Sequence, residues 1–437
     1  MVLERTGNAS SNRSVAAQPP VCSATQENDQ TRWVSRIMLL PAGVAPEARL
    51  LLIGRALRAL TDGFVAILMP AYLLALGLGK WEVGLISTAT LLGSALMTLA
   101  IGQWGHRYPQ RRLLLAAAWL MCCTGLLLTG FSSFWPLLLV AFAGTMNPSS
   151  GDVSVFLPLE HARLAETAQG DTRTSIFARY TFIGALCAAF GALATGVPDL
   201  LVQSGVSQLD AFRLMFVLYG ATGLVIFLLY RRLPDHPVHA QSIASTPLGP
   251  SRAIVVRLAA LFSLDAFAGG LLVNTLLALW LFERFGLSLA AAGSFFFWAG
   301  LLTAVSQLIA PWVARRIGLL NTMVFTHIPA NISLIFAALA PTLEWALVLL
   351  LLRSLLSQMD VPTRSAFVMA VVTPAERAAA ASFTAVPRSL AAAASPAIGG
   401  ALFAAGCLAA PLIACGGLKI VYDLAIWQAF RKLESAA

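Results

Sequence analysis

Charge is what this sequence has least of. Only 11% of its 437 residues are Asp, Glu, Lys or Arg, against about 25% in an average soluble domain. With 58% of residues hydrophobic and a mean hydropathy of +0.78, a water-soluble fold has too little polar surface to cover the apolar side chains. Cysteine is scarce as well. Cys22, Cys122, Cys123, Cys187, Cys407 and Cys415 show no CxxC spacing, which argues against a disulfide framework or a zinc site. No GxxxxGK[ST] stretch is present, Lys80 being followed by Trp81, so the chain does not carry its own ATP coupling. Neither GxSxG nor HExxH occurs, which leaves no hydrolase signature and no reason to expect an enzyme or a cofactor.

What the sequence does contain is a series of apolar stretches, each near the roughly 20 residues that a hydrocarbon core of about 30 Å demands. Six membrane helices are expected over 53–76, 83–104, 113–130, 135–157, 176–197 and 211–230. Six more are expected over 258–281, 290–314, 321–340, 345–361, 379–405 and 408–430. Residues 1–48, rich in Ser, Asn, Gln and Pro and without a signal-peptide core, read as a disordered cytoplasmic tail. The polar segment 231–252, with Pro234, Asp235 and Pro237, reads as a cytoplasmic linker between halves at 49–230 and 253–437.

The formal charge of +9 would suggest nucleic acid as the partner of a soluble protein. Here the basic residues gather in alternate loops, as Arg107, Arg111 and Arg112, then Arg163 and Arg173, Arg231 and Arg232, Arg315 and Arg316, Arg377, and finally Arg431 and Lys432. Cytoplasmic loops collect Lys and Arg, so both termini are expected inside, with membrane lipid and not nucleic acid as the neighbour. The preponderance of Arg over Lys and the wealth of Ala and Leu hint at a GC-rich bacterial genome, hence an inner (plasma) membrane location.

The halves repeat one another. Asp62, Phe64 and Leu73-Leu74-Ala75-Leu76 return 203 positions later as Asp265, Phe267 and Leu276-Leu277-Ala278-Leu279. Gly84 matches Gly293, Ser149 and Asp152 match Ser357 and Asp360, and Arg179 with Gly191-Ala192-Leu193 matches Arg388 with Gly400-Ala401-Leu402. Ala and Leu coincide often by chance in such a chain, but charges inside apolar helices do not, so a duplication is expected.

These residues resemble the major facilitator superfamily, in which two six-helix halves surround a central cavity. The family's G-x-x-x-D-R-x-G-R-R signature is similar to Gly102-Gln103-Trp104-Gly105-His106-Arg107-Tyr108-Pro109-Gln110-Arg111-Arg112, with His106 in place of the acid and Pro109 in place of the second Gly. A degenerate second copy, Ala310-Pro311-Trp312-Val313-Ala314-Arg315, keeps the Arg. The resemblance implies an all-α protein of twelve membrane helices that works as a monomeric secondary transporter of a small-molecule substrate. It implies further that helices 1, 4, 7 and 10 line the solute path and that Arg107 serves gating. The drug and proton antiporter branch is the nearest in character, because helix 1 carries an acid followed by Pro70.

Charges within the spans are the candidate site. Asp62, Asp152, Arg179, Asp265, Arg353, Asp360, Arg388 and Lys419 all fall there, each at a cost of about 2.5–3.5 kcal/mol if it met lipid. They must therefore face water or one another. Arg353, Ser357, Asp360 and Arg364 share one face of helix 10. Thr145, Ser149 and Asp152 share one face of helix 4, beside the bending pair Asn147-Pro148. Asp62 is read as the carrier of a coupling proton, since desolvation favours the protonated form of a carboxyl, or else as the i, i+4 partner of Arg58. Asp152 and Asp360 either face solute or pair with Arg179 and Arg388 across helices. Arg353 and Arg388 could hold an anionic group through the guanidinium fork. Lys419 and Asp423 are expected to pair on helix 12 away from the cavity, with His327 similarly peripheral. Proton-coupled efflux is the first functional expectation; an uptake permease for an organic anion is the second, and a lipid scramblase or membrane sensor the third.

Overall fold

In lipid a backbone N–H or C=O finds no water, so an apolar chain must satisfy these groups within helices or a closed barrel. The computed structural model describes residues 47–149, 154–167, 170–235, 249–373 and 376–434. Among the described residues every regular element is helical. The first half contains α1 (Glu47–Ala75), α2 (Lys80–Trp104), α3 (Gln110–Gly130), α4 (Phe134–Ala143), α5 (Phe156–Glu166), α6 (Gly170–Leu193), α7 (Val197–Gln203) and α8 (Gln208–Tyr230). The second contains α9 (Arg252–Gly270), α10 (Asn274–Phe285), α11 (Leu289–Ile317), α12 (Leu319–Leu339), α13 (Leu343–Leu356), α14 (Asp360–Val371), α15 (Arg377–Ala404) and α16 (Ala410–Glu434). Nine helical segments among the described residues are long and apolar enough to cross a membrane. Their outer faces carry Leu308 and Trp345, 66% and 62% exposed, as suits contact with acyl chains and not with water.

Three of the twelve expected helices are broken. The continuous helix expected over 135–157 stops at Ala143 and resumes at Phe156. Pro148 lacks an N–H and pushes Asn147 out of the helical region. The Asn147 side-chain oxygen instead accepts from the Ser149 N–H at 3.0 Å and from its hydroxyl at 2.8 Å. The helix expected over 258–281 breaks between Gly270 and Asn274, directly after the Gly269-Gly270 pair. The third expected helix breaks between Leu356 and Asp360 and then runs on to Val371, past the expected end at 361. Pro362 sits in the first turn of the resumed helix, where a missing N–H is tolerated. Such breaks at membrane depth are sustained where they line a cavity.

The halves meet along two matched seams, α2 against α15 and α6 against α11. Glycine permits the approach: a Cβ on Gly84 would lie 2.7 Å from the Pro396 carbonyl oxygen and 2.8 Å from the Gly400 Cα. Its repeat mate Gly293 faces Ala192 and Thr195 across the other seam. Polar contacts close the end of the bundle remote from the chain termini. Lys80 pairs with Glu283 at 2.6 Å, the Ala397 N–H donates to the Thr88 hydroxyl at 2.9 Å, and the Ala290 N–H donates to Asp199 at 3.3 Å. Deeper in, the buried Thr275 clasps the breaks together. Its N–H donates to the Pro148 carbonyl at 3.1 Å, and its hydroxyl lies 2.9 Å from the Ala66 carbonyl oxygen and 3.2 Å from that of Pro148.

At the face carrying the start of α1 and the end of α16, each half is fastened to its own end of the linker. Arg163 pairs with Glu47 at 3.0 Å and donates to the Pro234 carbonyl at 2.6 Å, while Arg111 pairs with Asp235 at 2.7 Å. In the second half Glu376 accepts from the N–H groups of Gly249 and Ser251 and, at 2.8 Å, from the Thr373 hydroxyl. Hydrogen bonds from Ser251, Gly249 and Thr373 pull its carboxyl from the ordinary 4.5 down to about 2. Most of the expected tail and the middle of the expected linker lie outside the described residues.

Candidate functional site

Between the halves lies a cavity of about 690 Å³, within the roughly 300–1,000 Å³ typical of small-molecule sites. It extends from the Thr275 clasp toward the face that carries the termini, and its wall takes residues from α1, α2, α5 and α6 on one side and from α9, α10, α11, α13, α14, α15 and α16 on the other. Five basic side chains line it against three carboxylates. The distribution of partners among them decides what the cavity can do.

Asp62 is buried in the wall, and its Oδ1 has no hydrogen-bond partner. The pairing with Arg58 anticipated from i, i+4 spacing is not formed. Arg58 instead donates to both carboxylate oxygens of Glu160, at 2.5 and 2.9 Å, and both residues are wholly buried. The Tyr230 hydroxyl donates to Glu160 at 2.6 Å, and the Tyr180 hydroxyl bonds it as well. The reason is competition: a fork with two hydroxyl-supported oxygens to bind outweighs a single acid one turn away. Glu160 was missed because it lies beyond the expected end of helix 4; the signal was an acid directly after the apolar Phe156-Leu157-Pro158-Leu159 run. Arg55 is turned toward the cavity, its guanidinium 5.1 Å from the Tyr180 ring centre. Gly184 makes that possible, since a Cβ there would lie 2.6 Å from one guanidinium nitrogen.

Asp265, the repeat mate of Asp62, is doubly bonded. Lys419 reaches it at 2.6 Å and Arg364 at 3.1 Å. Arg364 also binds Asp360 at 2.5 Å, so Asp360 pairs along its own helix and not with Arg388. Lys419 does not pair with Asp423 and does not stand away from the cavity; it lines it. Asp423 binds His327 at 2.9 Å and Asn331 at 3.4 Å, and His327 also reaches the cavity wall. Lys419 on α16 thus turns inward because α9 offers the buried Asp265, while Asp423, one turn away on its own helix, is committed to His327 and Asn331.

Arg353 and Arg388 line the cavity with no hydrogen bond or ion pair to any described residue. The Arg353 Nε is buried without a partner, and Arg388 is exposed to the cavity. Arg179 is half-buried on α6, and Arg107 is exposed in a short turn after α2. Asp152 lies outside the described residues. No cluster of metal-ligating side chains occurs among the described residues.

The Major Facilitator Superfamily model matches residues 51–396. An uncharacterized membrane protein of Saccharomyces cerevisiae, YJR124C, is 24% identical over 354 residues, covering 73% of this chain and 79% of the yeast protein. Among solved structures, the nucleoside transporter NupG overlays with a TM-score of 0.69 at 14% identity, covering 89% of this chain and all of that one. A bacterial homologue of the lysosomal transporter Spinster, captured inward-facing and unoccupied, overlays with a TM-score of 0.68 at 15% identity, covering 92% of this chain and 98% of the homologue. At such identities the overlays establish the fold. Two halves around one charged cavity, and a family match across about four-fifths of the chain, lead to the same place: this multi-pass membrane protein belongs to the Major Facilitator Superfamily and is a secondary transporter, not an enzyme.

Proposed function

We propose that the protein exports a small solute in exchange for protons by alternating access, with Asp62 as the proton carrier. In this reading twelve crossings place both termini in the cytoplasm, and the cavity is open to the cytoplasmic side while the far-face seal is shut. The protein works as a monomer, since each half already supplies one wall of a single path. The observation that carries the proposal is the contrast between repeat mates. Asp265 is held by two cations, whereas Asp62 stands in the same cavity wall with an oxygen that nothing bonds. A carboxyl without an ion pair takes up and releases a proton without first breaking one.

The test uses everted membrane vesicles carrying the protein, with an imposed pH gradient and a pH-sensitive dye to report proton efflux on addition of candidate solutes. Export coupled to proton movement is expected in the wild type and is lost in Asp62→Asn. Undiminished proton-driven transport in that variant rejects the assignment. Uptake in intact cells without export from them would reverse the direction and favour a permease, and lipid redistribution without solute flux would favour a scramblase.

A further inference from the structure

Two cations in the second half's wall are left over after every other charge there is matched. Asp265 and Asp360 are taken up by Lys419 and Arg364. Arg353, from α13, and Arg388, from α15, face the same cavity with no partner among the described residues. Among the described residues, the first half's part of the wall holds one acid, Asp62. An uncompensated guanidinium in a low-dielectric wall is costly unless an anion meets it.

The Arg353 Nε is buried and has no hydrogen-bond partner. Around the two arginines the wall adds neutral donors and acceptors, Gln307, Gln358 and Ser357, of the kind that orient a ligand without neutralising its charge.

We infer that the solute carries an anionic group, a carboxylate or a phosphate, which seats against Arg353 and Arg388 in the wall of the second half, with the polar remainder of the molecule toward Gln307 and Gln358. The inference rests on the central cavity being the solute path, as proposed above. It is independent of Asp62 carrying a proton. The guanidinium fork suits carboxylate and phosphate alike, so the chemistry is that of an oxyanion on a small polar skeleton.

Binding, not transport, tests it. Purified protein in nanodiscs is titrated with gluconate, glucose 6-phosphate and glucose, which share a six-carbon polar skeleton and differ in the charged group. Thermal stabilisation and intrinsic tryptophan fluorescence give the readout. Stabilisation by gluconate assigns the site to carboxylates and by glucose 6-phosphate to phosphates, with glucose weaker by about 10- to 100-fold. Arg353→Gln and Arg388→Gln are each expected to weaken the preferred anion by a similar factor, while Arg353→Lys retains charge but loses the fork and falls between. Glucose binding as tightly as both anions, no stabilisation by either anion, or unchanged anion affinity in both Gln variants overturns the inference. Because no proton gradient is involved, a failure of proton coupling leaves this result standing, and the reverse also holds.

Discussion

The two halves spend their buried charge differently. In the first half the strongest ion pair, Arg58 with Glu160, is sealed from solvent by Tyr180 and Tyr230 and takes no part in the cavity wall. In the second, the corresponding cluster of Asp265, Arg364, Asp360 and Lys419 is itself the wall. The dry cluster joins α1, α5, α6 and α8 into one body; the wet one joins α9, α14 and α16. Asp62 and Asp265 thus share one cavity wall while their partners differ. A bare acid is left on one side and a saturated one on the other.

The contrast breaks most visibly at Glu160. Replacing it with Ala strands the Arg58 charge where no water reaches, and a loss of about 3–5 kcal/mol is expected, read as a fall in the thermal midpoint of the detergent-purified protein. The double variant Arg58→Met with Glu160→Leu should recover most of that loss, since an apolar pair of similar volume is nearly neutral. A smaller effect, about 1–3 kcal/mol, is expected for Asp265→Asn, because Arg364 keeps Asp360 and cavity water reaches Lys419; the same melting measurement checks it. Lys419→Met should cost about 1 kcal/mol or less and leave proton coupling intact, since Asp265 retains Arg364. Loss of coupling in that variant would mean that the saturated acid, and not the bare one, moves the proton.

The smallest effect is confined to acid pH. Glu376 is held down at about 2 against an ordinary 4.5, so its anchoring of the linker end is fully present above pH 4.5 and is lost as pH falls through about 2. The mobility of a nitroxide attached at neutral pH to Gly249→Cys, in a protein whose native cysteines are replaced by Ser, should rise over that window. In Glu376→Gln it should be high and flat.

The sequence carried the helices because lipid enforces an apolar run of fixed length. It also pointed to the inward placement of Asp62, Asp265 and Asp360, which the structure buries at 3–6% exposure. Partners were another matter. Arg58 and Glu160 are 102 positions apart and Asp265 and Lys419 are 154 apart, and no local spacing reveals which of several acids a flexible basic chain will reach. Neighbours one helical turn apart, Arg58 with Asp62 and Lys419 with Asp423, looked paired on spacing alone, and tertiary contacts overrode both. The broken helices were half visible: Asn147-Pro148 signals a bend, but Gly269-Gly270 reads equally well as close packing until Thr275 is seen bonded to Pro148.

Beside the pair of Lys80 with Glu283, main-chain atoms enter each of the other contacts that close the far end: Gly84 against Gly400, the Ala397 amide on Thr88, the Ala290 amide on Asp199 and, deeper in, the Thr275 amide on Pro148. Backbone atoms are the same whatever the residue, so side chains around the cavity are at liberty to vary while the hinge work continues unchanged. Selectivity and mechanics are then separable properties of this molecule, and an engineer redesigning its cargo need only leave a few small residues alone.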